Sequence, residues 1–170
     1  MAVPVRLGGE ELREILRILE RDARATPEQI AAMIGGDAEN VARVIADAEK
    51  SGTIGGYKSV IDWDRAGEEY VYAFIDVRVS PERASGFDDI ARRIYRFPEV
   101  LSAHLVSGQH DLRVTVAGRT MKEVAYFVAE KLATIEQVQS TETHFVLKRY
   151  KEDGVIFEER EPDRRLAVAP

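Results

Sequence analysis

Along roughly the first sixty residues the apolar positions recur every three or four places, and beyond residue 62 they recur every second place. The first spacing predicts amphipathic helices and the second half-buried strands. Glu10 to Asp22 sets Leu12, Ile15, Leu16 and Leu19 on one stripe, with Glu and Arg elsewhere. Thr26-Pro27-Glu28-Gln29 is a start signal: an N-cap hydroxyl, proline at the first helical position, and Gln three residues after the cap. The short helix it opens carries Ile30, Ala31, Met33 and Ile34 and stops at Gly35-Gly36. Asp37 caps a third helix, with Asn40 where Glu or Gln would complete the box. That helix runs to about Ser51, buries Val41, Val44 or Ile45, and Ala48, and ends at Gly52. Thr53 to Trp63 alternates around Gly55-Gly56 and reads as a short two-stranded wing. Two short helices joined by a glycine turn form a helix-turn-helix. An ordinary helical hairpin within a core satisfies the same spacing.

The second half reads β-α-β-β-α-β. Tyr70 to Val79 is a strand ending at Ser80-Pro81. Gly86 to Phe97 is a helix presenting Phe87, Ile90, Ala91 and Ile94, stopped before Pro98. Val100 to Ser107 and Asp111 to Ala117 are strands about a tight turn at Gly108-Gln109-His110. Thr120 caps a helix burying Val124, Phe127, Val128 and Leu132, and Val138 to Leu147 is the last strand. The expected fold class is therefore α+β: a winged helix-turn-helix over 1–62, a linker over 63–69, a ferredoxin-like domain over 70–150, and an extension over 151–170. Both helices cover the same face of the sheet, the one that takes Val71, Ala73, Ile75 and Val77. The other face shows Tyr70, Tyr72 and Phe74, too apolar to leave wet. A second copy is the simplest cover, which predicts a symmetric dimer. The alternative is the tail folding back through its patches Val155-Ile156-Phe157 and Leu166-Ala167-Val168.

Composition narrows the chemistry. The chain has 170 residues, 45% hydrophobic and 32% charged, enough to bury a core. Its 24 Lys and Arg against 30 Asp and Glu give −6, so overall charge does not drive it onto nucleic acid. Zero cysteines exclude disulfides, thiolate zinc sites and cysteine catalysis. No apolar run approaches 18 residues, and Met1 to Gly9 has no signal-like core, so a cytoplasmic protein off the membrane is expected. His104, His110 and His144 are the only histidines; their parity forces no common face, and packed or solvated side chains are expected rather than a metal site. No nucleophile elbow, phosphate loop or paired-carboxylate spacing stands out, so neither an enzyme nor a bound cofactor is expected.

As a DNA reader, the third helix would turn Glu39, Asn40, Ala42, Arg43, Ala46, Asp47 and Lys50 into the major groove. Arg43 suits guanine, Asn40 adenine, and Glu39 can accept from cytosine. Arg24 and Thr26 before the second helix, with Tyr57 and Lys58 on the wing, complete the DNA-facing set. These cations are few. One copy binds weakly, and useful affinity needs several copies side by side.

The chain resembles the Lrp/AsnC family of prokaryotic transcriptional regulators from about Leu12 to Tyr150. The resemblance rests on RDARATPEQIAAMIG at 21–35, Gly52-Thr53-Ile54 with Gly56-Tyr57, GQHD at 108–111 and VQSTETHFVLKRYK at 138–151, in that order. It implies a DNA-binding first domain and a second, RAM-type domain that dimerises, assembles dimers further, often to octamers, and binds an amino-acid effector. The effector site it implies is Ser107, Gly108, Gln109, His110 and Asp111 beside Val138, Ser140 and Thr141. A glycine turn exposes backbone N–H groups to a ligand carboxylate, and Asp111 can accept its ammonium; equally, Asp111 can cap its own turn. Two departures stand out. Arg43 is followed by Val44 rather than a second arginine, and Ala46-Asp47-Ala48 replaces a basic, leucine-rich stretch. Glu39 and Asp47 therefore leave open a small-molecule-binding assembly protein with a weakened DNA reader. A tetrapyrrole-pathway decarboxylase shares the architecture, but the cationic cluster needed to hold several carboxylates is missing.

Overall fold

Ile15, Ile30, Val41 and Val44 come from three helices and lose essentially all contact with water around one another. Burying each stabilises the fold by roughly 1.5–3 kcal/mol relative to exposure. They form the centre of the first of two units, 1–59 and 60–170, into which the chain divides in this computed structural model. The structure describes residues 9–80 and 86–157. The expected strand stop at Pro81 and the Leu166-Ala167-Val168 patch lie outside those residues.

In the first unit α1 spans Gly9–Arg21, α2 Pro27–Ile34 and α3 Ala38–Lys50. The capping box forms at α2: the Gln29 N–H donates to Thr26 Oγ1 at 3.3 Å, and the Thr26 N–H donates to Gln29 Oε1 at 2.9 Å. Gly35 ends the helix at φ +70°, a conformation costly for any residue with a Cβ. Asp37 caps α3 through the Asn40 N–H, at 2.9 Å. The wing does not form. Residues 55–62 are irregular, and 53–63 hold no strand. Gly55 and Gly56 supply no side chains to pack and lose the most backbone freedom on ordering. Of 51–59 only Ile54 turns inward, packing on the helical core. One inward residue does not hold a two-stranded ribbon.

The second unit runs β1 (Val71–Val79), α4 (Phe87–Ile94), β2 (Val100–Leu105), β3 (Leu112–Gly118), α5 (Met121–Phe127) and β4 (Val138–Phe145). The four strands pair antiparallel in the order β2-β3-β1-β4. Ala73, Ile75, Val77 and Val79 of β1 meet Leu112, Val114 and Val116 of β3 and the helix residues Ile90, Ile94, Val124 and Phe127 in one buried cluster. Residues Val128–Leu132 continue α5 as a π-helical turn, closed by the Ala133 N–H donating to Val128 O at 2.8 Å. Beyond β4, a small hairpin of β5 (Lys151–Glu152) and β6 (Val155–Ile156) turns at Asp153-Gly154, both at positive φ. Such a pair suits a two-residue hairpin turn.

Three expectations need correction here. The α4 helix stops at Ile94, with Tyr95 as its C-cap, rather than reaching Phe97. The β2–β3 connection is six residues, 106–111, rather than a tight three-residue turn, because β2 leaves the ladder after Leu105. Finally, the face of the sheet away from the helices is not uniformly apolar. Its aromatic end is partly covered. Tyr70 lies 5.6 Å from the Trp63 ring with the Arg119 guanidinium 4.7 Å away, and Arg149 lies between Tyr72 and Phe157 at 4.6 and 5.0 Å. Part of the tail does return to this end, yet Phe74 stays 44% exposed. The far end of the face is charged.

Candidate functional site

The α3 face emerges as the spacing predicts. Glu39, Ala42, Arg43, Ala46 and Lys50 are exposed, while Asn40 and Asp47 are half-buried. Asn40 is held at both ends of its amide. Its Nδ2 donates to Glu11 Oε1 of α1 at 2.7 Å, and its Oδ1 accepts from Arg43 Nη2 at 2.5 Å. Thr26 and Arg24 are exposed before α2; the Thr26 hydroxyl is its N-cap acceptor, and its hydrogen bond holds the Glu28 carboxyl below the usual range. Tyr57 and Lys58 sit on the irregular exit segment, not on a wing. The Tyr57 hydroxyl donates to Glu49 Oε1 at 2.9 Å, which ties it to the last turn of α3; burial and then Glu49 raise its pKa.

In the second unit the two expected effector segments meet at one end of the sheet, on either side of β1. On one side Val138, Ser140 and Thr141 pair with Val79, Arg78 and Val77. On the other, the Asp111 N–H donates to Val77 O at 3.0 Å, and Asp111 Oδ2 accepts from the Val79 N–H at 2.9 Å. Asp111 therefore stitches the loop to β1 rather than capping its own turn. Arg78 reaches across the loop, donating to Gln109 O from Nη2 at 2.9 Å and from Nε at 3.3 Å. Ser107, Gly108 and Gln109 are exposed, and Gly108 holds φ +132°, so the loop presents its backbone to solvent. His110 Nε2 stands 3.7 Å from Glu142 Oε2 of β4.

A charged group on the outer face escapes the hydrophobic pattern altogether. Asp76 of β1 is 6% exposed and accepts from Arg113 Nε at 2.7 Å and Nη2 at 2.8 Å, a bidentate pair. The hydrogen bonds from Arg113 outweigh burial and hold the Asp76 carboxyl below the usual range. His144 Nε2 lies 3.6 Å from both Asp76 Oδ2 and Glu142 Oε1. Register puts His104 opposite Arg113 and His144 opposite Phe74, so both histidines share the outer face. Among the described residues no group of three His, Cys, Asp or Glu side chains is arranged to hold a metal ion, and no helix is long and apolar enough to cross a membrane. Beside Phe74, a groove of about 340 Å³ runs between the sheet and the returning tail, lined by Tyr72, Thr115, Lys148, Arg149 and Tyr150.

Comparison with known proteins covers both units. Residues 72–156 match the model of the Lrp/AsnC ligand binding domain. Over 162 residues, 95% of this chain and 98% of the other, the sequence is 48% identical to the HTH-type transcriptional regulator YugG of Bacillus subtilis (strain 168). The fold is similar to that of the leucine response regulatory protein of Mycobacterium tuberculosis, with a TM-score of 0.71 at 22% identity over 85% of this chain and 95% of that one. It is also similar to a transcriptional regulator of Neisseria meningitidis solved as an L-methionine complex, with a TM-score of 0.67 at 23% identity over 84% and 92%.

Proposed function

The chain belongs to the Lrp/AsnC family of transcriptional regulators, and from that premise we propose that it reads double-stranded DNA through α3 and adjusts that binding to an amino acid or related small molecule. The observation that carries the reading is the α2–α3 pair itself. A capped eight-residue helix, a left-handed glycine and a second capped helix leave Arg43 exposed on one face. Lys50, Lys58, Arg24 and Thr26 are the proposed phosphate contacts around it. Tyr57, tied to Glu49, supports the end of α3 rather than reaching DNA itself, and Glu39 sets a preference against wrong sequences more than it adds affinity. Such a role places the protein in the cytoplasm.

The proposed effector site is the junction of loop 107–111 with Val138, Ser140 and Thr141. The loop backbone around Gly108 supplies N–H donors for a carboxylate. One Asp111 oxygen is committed to the Val79 N–H, which leaves Oδ1 to accept a ligand ammonium. That the similar Neisseria regulator was solved with L-methionine supports an amino acid as the ligand class. Ligand entering here bears on β1, the strand from which the outer face is built, and so on assembly. We propose a homodimer formed through that face, with dimers assembling further.

Two measurements test the reading. Anisotropy titration of the full chain on its own upstream DNA should be cooperative and fall steeply with salt; no complex even at low salt would overturn it. A thermal-shift screen across the twenty amino acids should find a stabilising ligand whose effect grows with concentration. Asp111→Asn should weaken that shift, and an undiminished shift would remove Asp111 from the site.

A further inference from the structure

We infer that Glu11, on the first helix, is a positioning residue for base reading: through the Asn40 amide it fixes where Arg43 presents its guanidinium. The inference rests on the DNA-reading role proposed for α3, and it adds a residue that lies on another helix.

The Asn40 amide has two unlike ends, and both are engaged. Nδ2 donates to the Glu11 carboxylate at 2.7 Å, in a half-buried contact between residues 29 positions apart. Oδ1 accepts from Arg43 Nη2, three residues further along α3. A carboxylate only accepts and a guanidinium only donates, so one orientation of the amide satisfies both neighbours. Turned over, the amide would set its NH2 against the guanidinium and its oxygen against the carboxylate. Two hydrogen bonds would become two repulsions. Glu11 thus locks the amide, and the amide holds the arginine.

Two consequences follow for recognition. Asn40 keeps one N–H and one lone pair spare, but its amide is already oriented by Glu11 and serves Arg43 first. Arg43 in turn reaches the groove already held at Nη2, with Nη1 and Nε outside that bond and directed to a guanine edge. A guanidinium held before binding loses less freedom when it docks. Charge alone makes the opposite prediction. A carboxylate beside DNA repels phosphates of any sequence, so removing it tightens binding everywhere.

The test uses the full chain at fixed salt, with anisotropy titrations on its own upstream duplex and on a shuffled duplex of equal length. The variants are Glu11→Gln, Glu11→Ala, Arg43→Ala and the double variant Glu11→Ala/Arg43→Ala, each also melted thermally. Arg43→Ala should cut the ratio of upstream to shuffled affinity by about tenfold to a hundredfold. Glu11→Ala should cut that ratio by about threefold to tenfold while shuffled binding holds or tightens, and in the Arg43→Ala background it should change the ratio less than about twofold. Glu11→Gln, which still accepts from Asn40 but no longer dictates its orientation, should fall between. Partial unfolding lowers both affinities and leaves the ratio alone, so a change in ratio is not a folding defect. Glu11→Ala that tightens both duplexes equally, or that lowers the ratio alike with and without Arg43, overturns the positioning role. An Arg43→Ala ratio equal to that of the unaltered chain removes the DNA-reading assignment itself. A large Arg43→Ala loss with an unmoved Glu11→Ala ratio removes the positioning role alone.

Discussion

At the scale of single residues, the Asp76–Arg113 pair gives the sheet one source of pH-dependent stability. Asp76 is almost wholly buried, and its pKa is lowered chiefly by the hydrogen bonds from Arg113. A depressed carboxyl contributes stability that is fully present above the unfolded value of about 3.9 and is lost as pH falls through the lower folded value. The unaltered chain should therefore hold its melting temperature from neutrality down to about pH 4 with respect to this group, then lose stability below it. Arg113→Ala removes the chief cause of the depression, so burial, which acts in the opposite direction, weighs more. Its melting temperature should fall at neutral pH, and the further acid loss should begin at a higher pH. A melting series from pH 3 to 7 checks both; a variant curve parallel to the original would refute the assignment. Nothing in the sequence flagged this pair. An Asp at an outward strand position is what strand alternation expects, and its partner is 37 residues away. Glu11 was hidden for the same reason, since pattern reading sees only neighbours along one element.

At the scale of elements, legibility followed how local the determinants are. The α2 start was readable because a capping box is contained in four residues, and the structure closes both of its hydrogen bonds. Thr26→Ala should cost about 1 kcal/mol of stability, read as a lower denaturant midpoint at unchanged slope. Gly35→Ala should also destabilise, because φ +70° places a Cβ in the disfavoured left-handed region although nothing crowds the site. A midpoint unmoved by either change would mean that α2 is held by packing alone. The two segments of the proposed effector site were named from resemblance, whereas their placement on either side of β1 follows from the strand order. The wing misled because alternation over Thr53–Trp63 is a mark of a half-buried strand and not a sufficient one. A strand also needs a partner to share its ladder, and the two glycines at its centre recruit none.

At the scale of the whole molecule, a reader with few cations needs a second source of affinity. The exposed α3 face offers Arg43 and Lys50 against Glu39 and Glu49, so a single copy gains little from counterion release. Two copies linked through the outer face convert the second contact into an intramolecular event at millimolar effective concentration, which raises avidity about a hundredfold or more without any new contact. Phe74 is exposed at the apolar end of that face beside the groove under the tail, so the proposed dimer would bury it. Phe74→Lys should therefore run as a monomer in sedimentation velocity where the original chain is a dimer, with an unchanged far-ultraviolet spectrum. On upstream DNA the same variant should lose about a hundredfold in affinity and all cooperativity, although Phe74 belongs to the sheet unit and Arg43 to the helical one. The loss should be the same on a shuffled duplex, which separates it from the Arg43 and Glu11 variants, where only the preference changes. A monomer that still binds with undiminished affinity would show that the reader suffices alone. A variant that stays dimeric would place the interface away from Phe74.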